Sequence, residues 1–313
     1  MSDELDAIRN SLLSDDPNVA FKALERIDQL NSRDRKILSA IWSKLLASEI
    51  PLQRICAIQG LVKTGIHSRN ESASLLQALK DEDATVRSLA AAAFQDVDSG
   101  TVQSFLAELA DLFNSSDDPV IRRNCIRALG LMGNAADKAV PTLRAAALDS
   151  NAKVRVAALQ ALDRIAASGG EVVATAISAM QDDDGWVRAV AIELAGNIGA
   201  LPADGIKKIV EGLSDTAPQV QARAAKALAS IGTPPEAVPT LAAALDDKAN
   251  SGLRYHAVLA LGSVRPPSKA AITALGKALS DSVSEIRARA QDILKRIGTP
   301  EALEEISRGS NEG

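Results

Sequence analysis

The chain has 313 residues, 46 % of them hydrophobic but only 2 % aromatic, and a formal net charge of −5. That balance argues against a general nucleic-acid binder, which carries a basic excess, and no stretch approaches the roughly 18 to 20 uninterrupted apolar residues of a membrane span. The apolar mass is Ala, Leu, Val and Ile, which suits helices packed closely along their length.

The opening MSDELDAIRNSLLSDD is acidic and amphipathic, not basic followed by apolar, so it does not read as a secretory signal. A soluble, cytoplasmic protein is expected. From Val19 onward one phrase recurs about every 33 residues: Asp, small or polar residues, an aliphatic residue, Arg, then small and apolar residues at helical spacing. Its clearest copies are DSNAKVRVAALQALDRIA, DDDGWVRAVAIELAGNIG and DSVSEIRARAQDILKRIG. Aligned on the residue before the Arg, the anchors are Val19, Gln53, Val86, Ile121, Val154, Val187, Val220, Leu253 and Ile286. A period in the range of about 20 to 50 residues marks a solenoid, whose single core grows lengthwise. The expected organisation is one all-α solenoid over 1–307 and a disordered tail at 308–313.

The unit around Val154 shows how each repeat is built. Val140, Leu143, Ala147 and Leu148 predict a first helix over 138–148, with Pro141 in the first turn, where a missing N–H costs nothing. Asp149, Ser150 and Asn151 break it. A second helix follows over 152–166, its apolar stripe falling at 0, +4, +7, +8 and +11 from the anchor. Gly133, Gly199, Gly232 and Gly298 stand at +12, where a left-handed glycine stops a helix. Small residues recur at +4, from Ala23 to Ala290, and let neighbouring helices approach closely.

Trp42 reads as core, Cys56 and Cys125 as reduced core thiols, and His67 as a loop residue after the Gly65 stop. Asp81 and Arg87, Asp149 and Arg155, Asp182 and Arg188, and Asp281 and Arg287 each stand six residues apart, the Asp in the turn and the Arg in the first turn of the second helix. A catalytic carboxylate with a basic partner would occur once, whereas this pair recurs along the chain. Gln221 replaces the Arg in repeat seven and Ala20 in repeat one. Ser116 and Lys248 stand where the Asp of repeats four and eight would sit, with Asp117 or Asp118, and Asp247 or Asn250, as possible substitutes. Repeats seven and eight are therefore expected to be locally less stable.

Outward positions of the second helices, taken as +2, +3, +6 and +10, carry two clusters. One is Arg123, Asn124 and Arg127 with Gln160 and Arg164; the other is Arg223, Tyr255, His256 and Arg289. Tyr, His and Arg together match the composition of binding hot spots, and the arginines suit an acidic peptide or phosphate. A solvated polar face has the same composition. Trp186 follows the run Asp182-Asp183-Asp184, which reads as a helix cap; the Trp itself fits either packing between repeats or an exposed anchor. No metal site, catalytic group or cofactor site is expected. A last short helix is predicted from Pro300 to about 306.

The D…VR…A…AL…IG phrases, with the AVPTL openings at 139–143 and 237–241, resemble the HEAT-repeat family, and within it the short HEAT-like repeats also found in phycobilisome lyases. The resemblance implies a right-handed superhelix of about nine two-helix repeats, with second helices on the concave side. It also implies that the Asp and Arg residues form a ladder of charge-assisted hydrogen bonds between successive repeats. The function it implies first is a non-enzymatic scaffold that binds another protein or peptide, expected as a monomer. The alternatives are a chromophore-handling protein of the phycobilin-lyase type or its chaperone subunit, and a HEAT-like DNA glycosylase, which the scarcity of aromatics and the acidic charge disfavour.

Overall fold

In a computed structural model, residues 3–14, 16–65, 69–97, 99–166 and 169–311 are described. Their regular secondary structure is helical throughout, without a strand. The chain forms two compact units, Met1–Ala166 and Ala167–Gly313.

The first unit holds α1 (Asp3–Leu12), α2 (Pro17–Arg26), α3 (Ser32–Ile37), α4 (Ser39–Leu46), α5 (Pro51–Thr64), α6 (Arg69–Ala78), α7 (Ala84–Ala93), α8 (Ser99–Ser115), α9 (Pro119–Leu131), α10 (Val140–Ala146) and α11 (Ala152–Arg164). The second holds α12 (Gly170–Ala179), α13 (Gly185–Ile198), α14 (Ala203–Gly212), α15 (Pro218–Ile231), α16 (Val238–Ala244), α17 (Ser251–Leu261), α18 (Lys269–Lys277), α19 (Ser284–Ile297) and α20 (Pro300–Asn311). Second helices of successive repeats lie side by side. In the first unit the row is α2, α5, α7, α9, α11; in the second it is α13, α15, α17, α19. No helix among the described residues is long and apolar enough to cross a membrane.

The +4 residues explain the close stacking. Ala57, Ala90, Cys125, Ala158, Ala191, Ala224, Ala257 and Ala290 have no accessible surface, and Ala23 keeps only 3 %. Burial holds both thiols protonated: Cys56 is pushed up to about 11 and Cys125, where desolvation also dominates, to about 12. Gly133, Gly199, Gly232 and Gly298 all have positive φ at the ends of their helices. Ala166 takes the same place in repeat five with φ 53°, the one left-handed non-glycine residue among those described.

Several expectations shift. The first helix of repeat five is shorter than predicted: a 3₁₀ segment, Gly133–Ala139, leads into α10, which ends before Leu148, and Leu148 is 79 % exposed. The second helix stops at Arg164 rather than 166. In repeat one the anchor Val19 is exposed and Ala20, at the Arg position, is buried, so α2 is rotated relative to the consensus. It packs instead into a terminal core with Leu5, Ile8, Leu12 and Leu61. Trp42 lies in that core, its Nε1 donating to Thr64 Oγ1 at 3.0 Å and its ring against Gly60, where an added Cβ would lie 2.5 Å away. The final helix continues through Asn311, beyond the predicted end near 306 and into the tail expected to be disordered from 308. Arg308 holds it by pairing with Glu304 and Glu305 one turn back, and Gly309 lies against Leu279. His67 lies outside the described residues, as do 312 and 313.

Candidate functional site

The turns between helices are built on a repeated hydrogen-bond pattern. Asp81, Asp149, Asp215 and Asp281 each accept the backbone N–H two residues on, at 2.8 Å. Asp182 does the same at 2.9 Å, and Ser116 supplies a hydroxyl acceptor in repeat four. In repeat eight Asp247 takes the role of the absent Asp, accepting from Ala249 and Asn250, while Asn250 caps α17 through Leu253 N. The Arg six residues after the Asp does not meet its carboxylate. Its Nη1 donates to the Asp backbone carbonyl: Arg87 to Asp81, Arg155 to Asp149, Arg188 to Asp182 and Arg287 to Asp281, at 2.6 to 2.9 Å.

The carboxylates instead take the Arg of the preceding repeat, 27 residues earlier. Arg54 meets Asp81, Arg122 meets Asp149, Arg188 meets Asp215 and Arg254 meets Asp281, each ion pair closing to 2.7 Å. The last three are two-point forks from Nε and Nη2. Within the two units these rungs join repeats two to three, four to five, six to seven and eight to nine. Arg87 and Gln221 begin the intervening junctions and reach only carbonyls of their own turns. The next repeats offer them Ser116 and Lys248 at the Asp position. Asp182-Asp183-Asp184 is turn chemistry too: Asp184 caps α13 by accepting from Trp186 N and Val187 N, and Arg188 draws in the Asp182 and Asp183 carbonyls.

On the outward side of the second helices in the second unit, the residues form a continuous track. Trp186, 55 % exposed, sits at the start of α13 with the Arg223 guanidinium of α15 stacked 5.3 Å from its ring centre. A cation–π contact of this exposed kind contributes about 0.5–1 kcal/mol. Arg223 Nε also donates to Glu193 Oε2 at 3.0 Å, and Lys226 Nζ to Glu193 Oε1 at 3.0 Å. Burial raises the Glu193 carboxyl, but the hydrogen bonds from Lys226 and Arg223 outweigh it and hold the group ionised below the usual range. Lys226 leads to α17, where its charge adds to burial in lowering the pKa of half-buried His256. Tyr255 meets His256 edge-on at 5.5 Å, and its interaction with Arg289 of α19 raises the pKa of that exposed guanidinium. Trp186 therefore joins Arg223, Tyr255, His256 and Arg289. Glu193 and Lys226, absent from the sequence-level cluster, link them. Both stand at +6, the outward position that already singled out Arg127, so the register held the signal.

In the first unit Arg123 and Arg127 lie one turn apart on α9, and Arg164 closes the neighbouring α11. Desolvation lowers the Arg127 pKa first, and repulsion from Arg123 and Arg164 adds to it, so the three share one field. Asn124 does not stand outward. It is 1 % exposed, and its Nδ2 has no hydrogen-bond partner. The reason applies to +3 generally in the middle repeats, where Ala157 and Val190 are also buried. A second helix is packed by second helices on two sides as well as by its own first helix, so its buried arc is wider than one stripe.

Three overlapping stretches, 72–163, 106–193 and 173–262, match the HEAT repeats family and together span more than half of the chain. No curated protein matches it. Among solved structures, an engineered protein from the Northeast Structural Genomics Consortium aligns at TM-score 0.54 and 21 % identity, covering 99 % of this chain and 92 % of that one. YibA of Escherichia coli aligns at TM-score 0.63 and 19 % identity, over 88 % of this chain and 96 % of its own. A mutant of Kap121p aligns at TM-score 0.55 and 16 % identity, over 94 % of this chain but 37 % of its own. At these identities the structural likeness concerns the fold: an all-α solenoid of helical hairpins. With the repeated turn geometry and the family match together, the chain belongs to the HEAT-repeat family.

Proposed function

We propose that the protein is a non-enzymatic scaffold that binds another protein or peptide along the outward face of its second helices. The observation that carries this reading is the track from Trp186 to Arg289. It places an exposed indole, a tyrosine and two arginines along four neighbouring helices, the residue types that dominate binding energy at interfaces. Its side chains are held before any partner arrives. Arg223 is fixed between Trp186 and Glu193, so less rotamer freedom is lost on binding. The recurring carboxylates and arginines are occupied in turns and rungs, which supports a non-catalytic role for them.

The test is a pull-down and affinity measurement with the wild type and a variant carrying Arg223→Glu, Tyr255→Ala and Arg289→Glu. Hot-spot losses of about 2 kcal/mol or more correspond to a roughly 30-fold weaker complex. Recovery of the same partners at the same affinity by both proteins would show that recognition lies elsewhere.

A further inference from the structure

Many arginines of this chain are matched. Arg54, Arg122, Arg188 and Arg254 meet aspartates, Arg223 meets Glu193, and Arg87 and Arg287 meet turn carbonyls. Arg123, Arg127 and Arg164 have no such match, nor do the exposed Arg9, Arg33 and Arg296. None has a hydrogen bond or ion pair among the described residues, although the chain as a whole carries a net charge of −5. Arg123 and Arg127 are half-buried, and the Arg123 Nε is sealed from solvent without an acceptor. Next to them on α9, the Asn124 amide is 1 % exposed, and its Nδ2 is likewise unsatisfied. Three guanidinium groups on the adjacent helices α9 and α11, two of them half-buried, are costly unless an acceptor of opposite charge completes them.

We infer that Arg123, Arg127 and Arg164 form an oxyanion site for a phosphate dianion, free or as a phosphomonoester. A carboxylate would cancel one of the three charges. A tetrahedral dianion offers more oxygens and cancels two, and each guanidinium can present a two-point fork to it. The site extends the scaffold reading to the first unit, and it rests on that reading only for the partner that would bring the phosphate.

The test is titration calorimetry and thermal unfolding of the full chain at constant ionic strength, with inorganic phosphate, a capped phosphoserine peptide and the same peptide unphosphorylated. Phosphate or the phosphopeptide is expected to bind and raise the unfolding midpoint of the wild type, with at least a tenfold loss of affinity in Arg127→Gln. Without phosphate, Arg127→Gln is expected to be at least as stable as the wild type, because a like charge has gone; an arginine with a purely structural role would leave the variant weaker. Arg164→Gln, altered at an exposed helix end, gives the same readout if Arg127→Gln folds poorly. Phosphopeptide binding at least tenfold tighter than inorganic phosphate identifies a phosphorylated partner; equal affinity identifies the free ion. No response to either, or an equal response in wild type and both variants, would overturn the inference. The Arg223→Glu, Tyr255→Ala, Arg289→Glu variant should keep the full phosphate response, so failure of the scaffold face and failure of this site are separable.

Discussion

Replacing Asp281 with Ala is expected to destabilise the second unit by about 3–5 kcal/mol, the cost of stranding a buried charge. Asp281 and Arg254 have side chains 7 % and 5 % exposed, joined at 2.7 Å and 3.0 Å. Without the carboxylate, the guanidinium keeps the carbonyls of Asp247 and Lys248 and a long contact to Ser282 Oγ at 3.5 Å. The turn also loses the acceptor for Val283 N. A lower urea midpoint at unchanged slope is the signature. The double substitution Arg254→Met with Asp281→Leu should recover most of the loss, since apolar replacements of a buried pair are often neutral or better. The same rungs set an acid dependence. The hydrogen bond from Arg254 holds the Asp281 carboxyl below its ordinary range, and Arg188 does so for Asp215. Depressed carboxylates contribute stability above their unfolded pKa, about 4, and lose it as pH falls through their folded values. Wild-type stability should therefore fall below about pH 4, and Asp281→Ala should fall less over that window. A cost under about 1 kcal/mol would class the rung with ordinary surface pairs.

Gly130→Val is expected to cost about 2–3 kcal/mol by forcing α9 and α11 apart. A Cβ at Gly130 would lie 2.6 Å from the Ala161 Cβ and 2.8 Å from its Cα, and backbone cannot swing aside. Gly196 stands at the same repeat position, with its Cβ 2.8 Å from the Ala227 Cβ. Overpacking of this kind costs roughly 1–3 kcal/mol, partly offset because glycine is a poor helix former. Denaturant unfolding checks it, and Ala161→Gly in the Gly130→Val background should restore part of the loss. A Gly130→Val protein as stable as the wild type would mean that the two helices separate freely.

The repeat, the hairpin and the buried +4 residues were legible in the sequence because one helix's burial pattern is written in its own residues. Val154, Val187, Val220, Leu253 and Ile286 are buried at their anchors as the period requires. Relations between repeats were harder to read. Spacing set Asp149 beside Arg155, yet the carboxylate belongs to Arg122, from the neighbouring repeat. Asn124 looked outward because a single stripe underestimates burial on a helix flanked on both sides. Trp186 was readable two ways; it is 55 % exposed, with Arg223 of the next repeat over its ring. Ser116 and Lys248 did mark something real: the carboxylate rung is missing where each follows its neighbour.

The recurring Asp–Arg phrase joins repeats, and does so at alternate junctions within each unit. Native-state hydrogen exchange at three turn amides of the second unit tests it most directly. Ala217 N and Val283 N donate to aspartates held by Arg188 and Arg254, whereas Ala249 N donates to Asp247, which no arginine of repeat seven reaches. Exchange is expected to be slower at Ala217 and Val283 than at Ala249, with α17 less protected on its repeat-seven side. Uniform protection from α13 through α19 would contradict it.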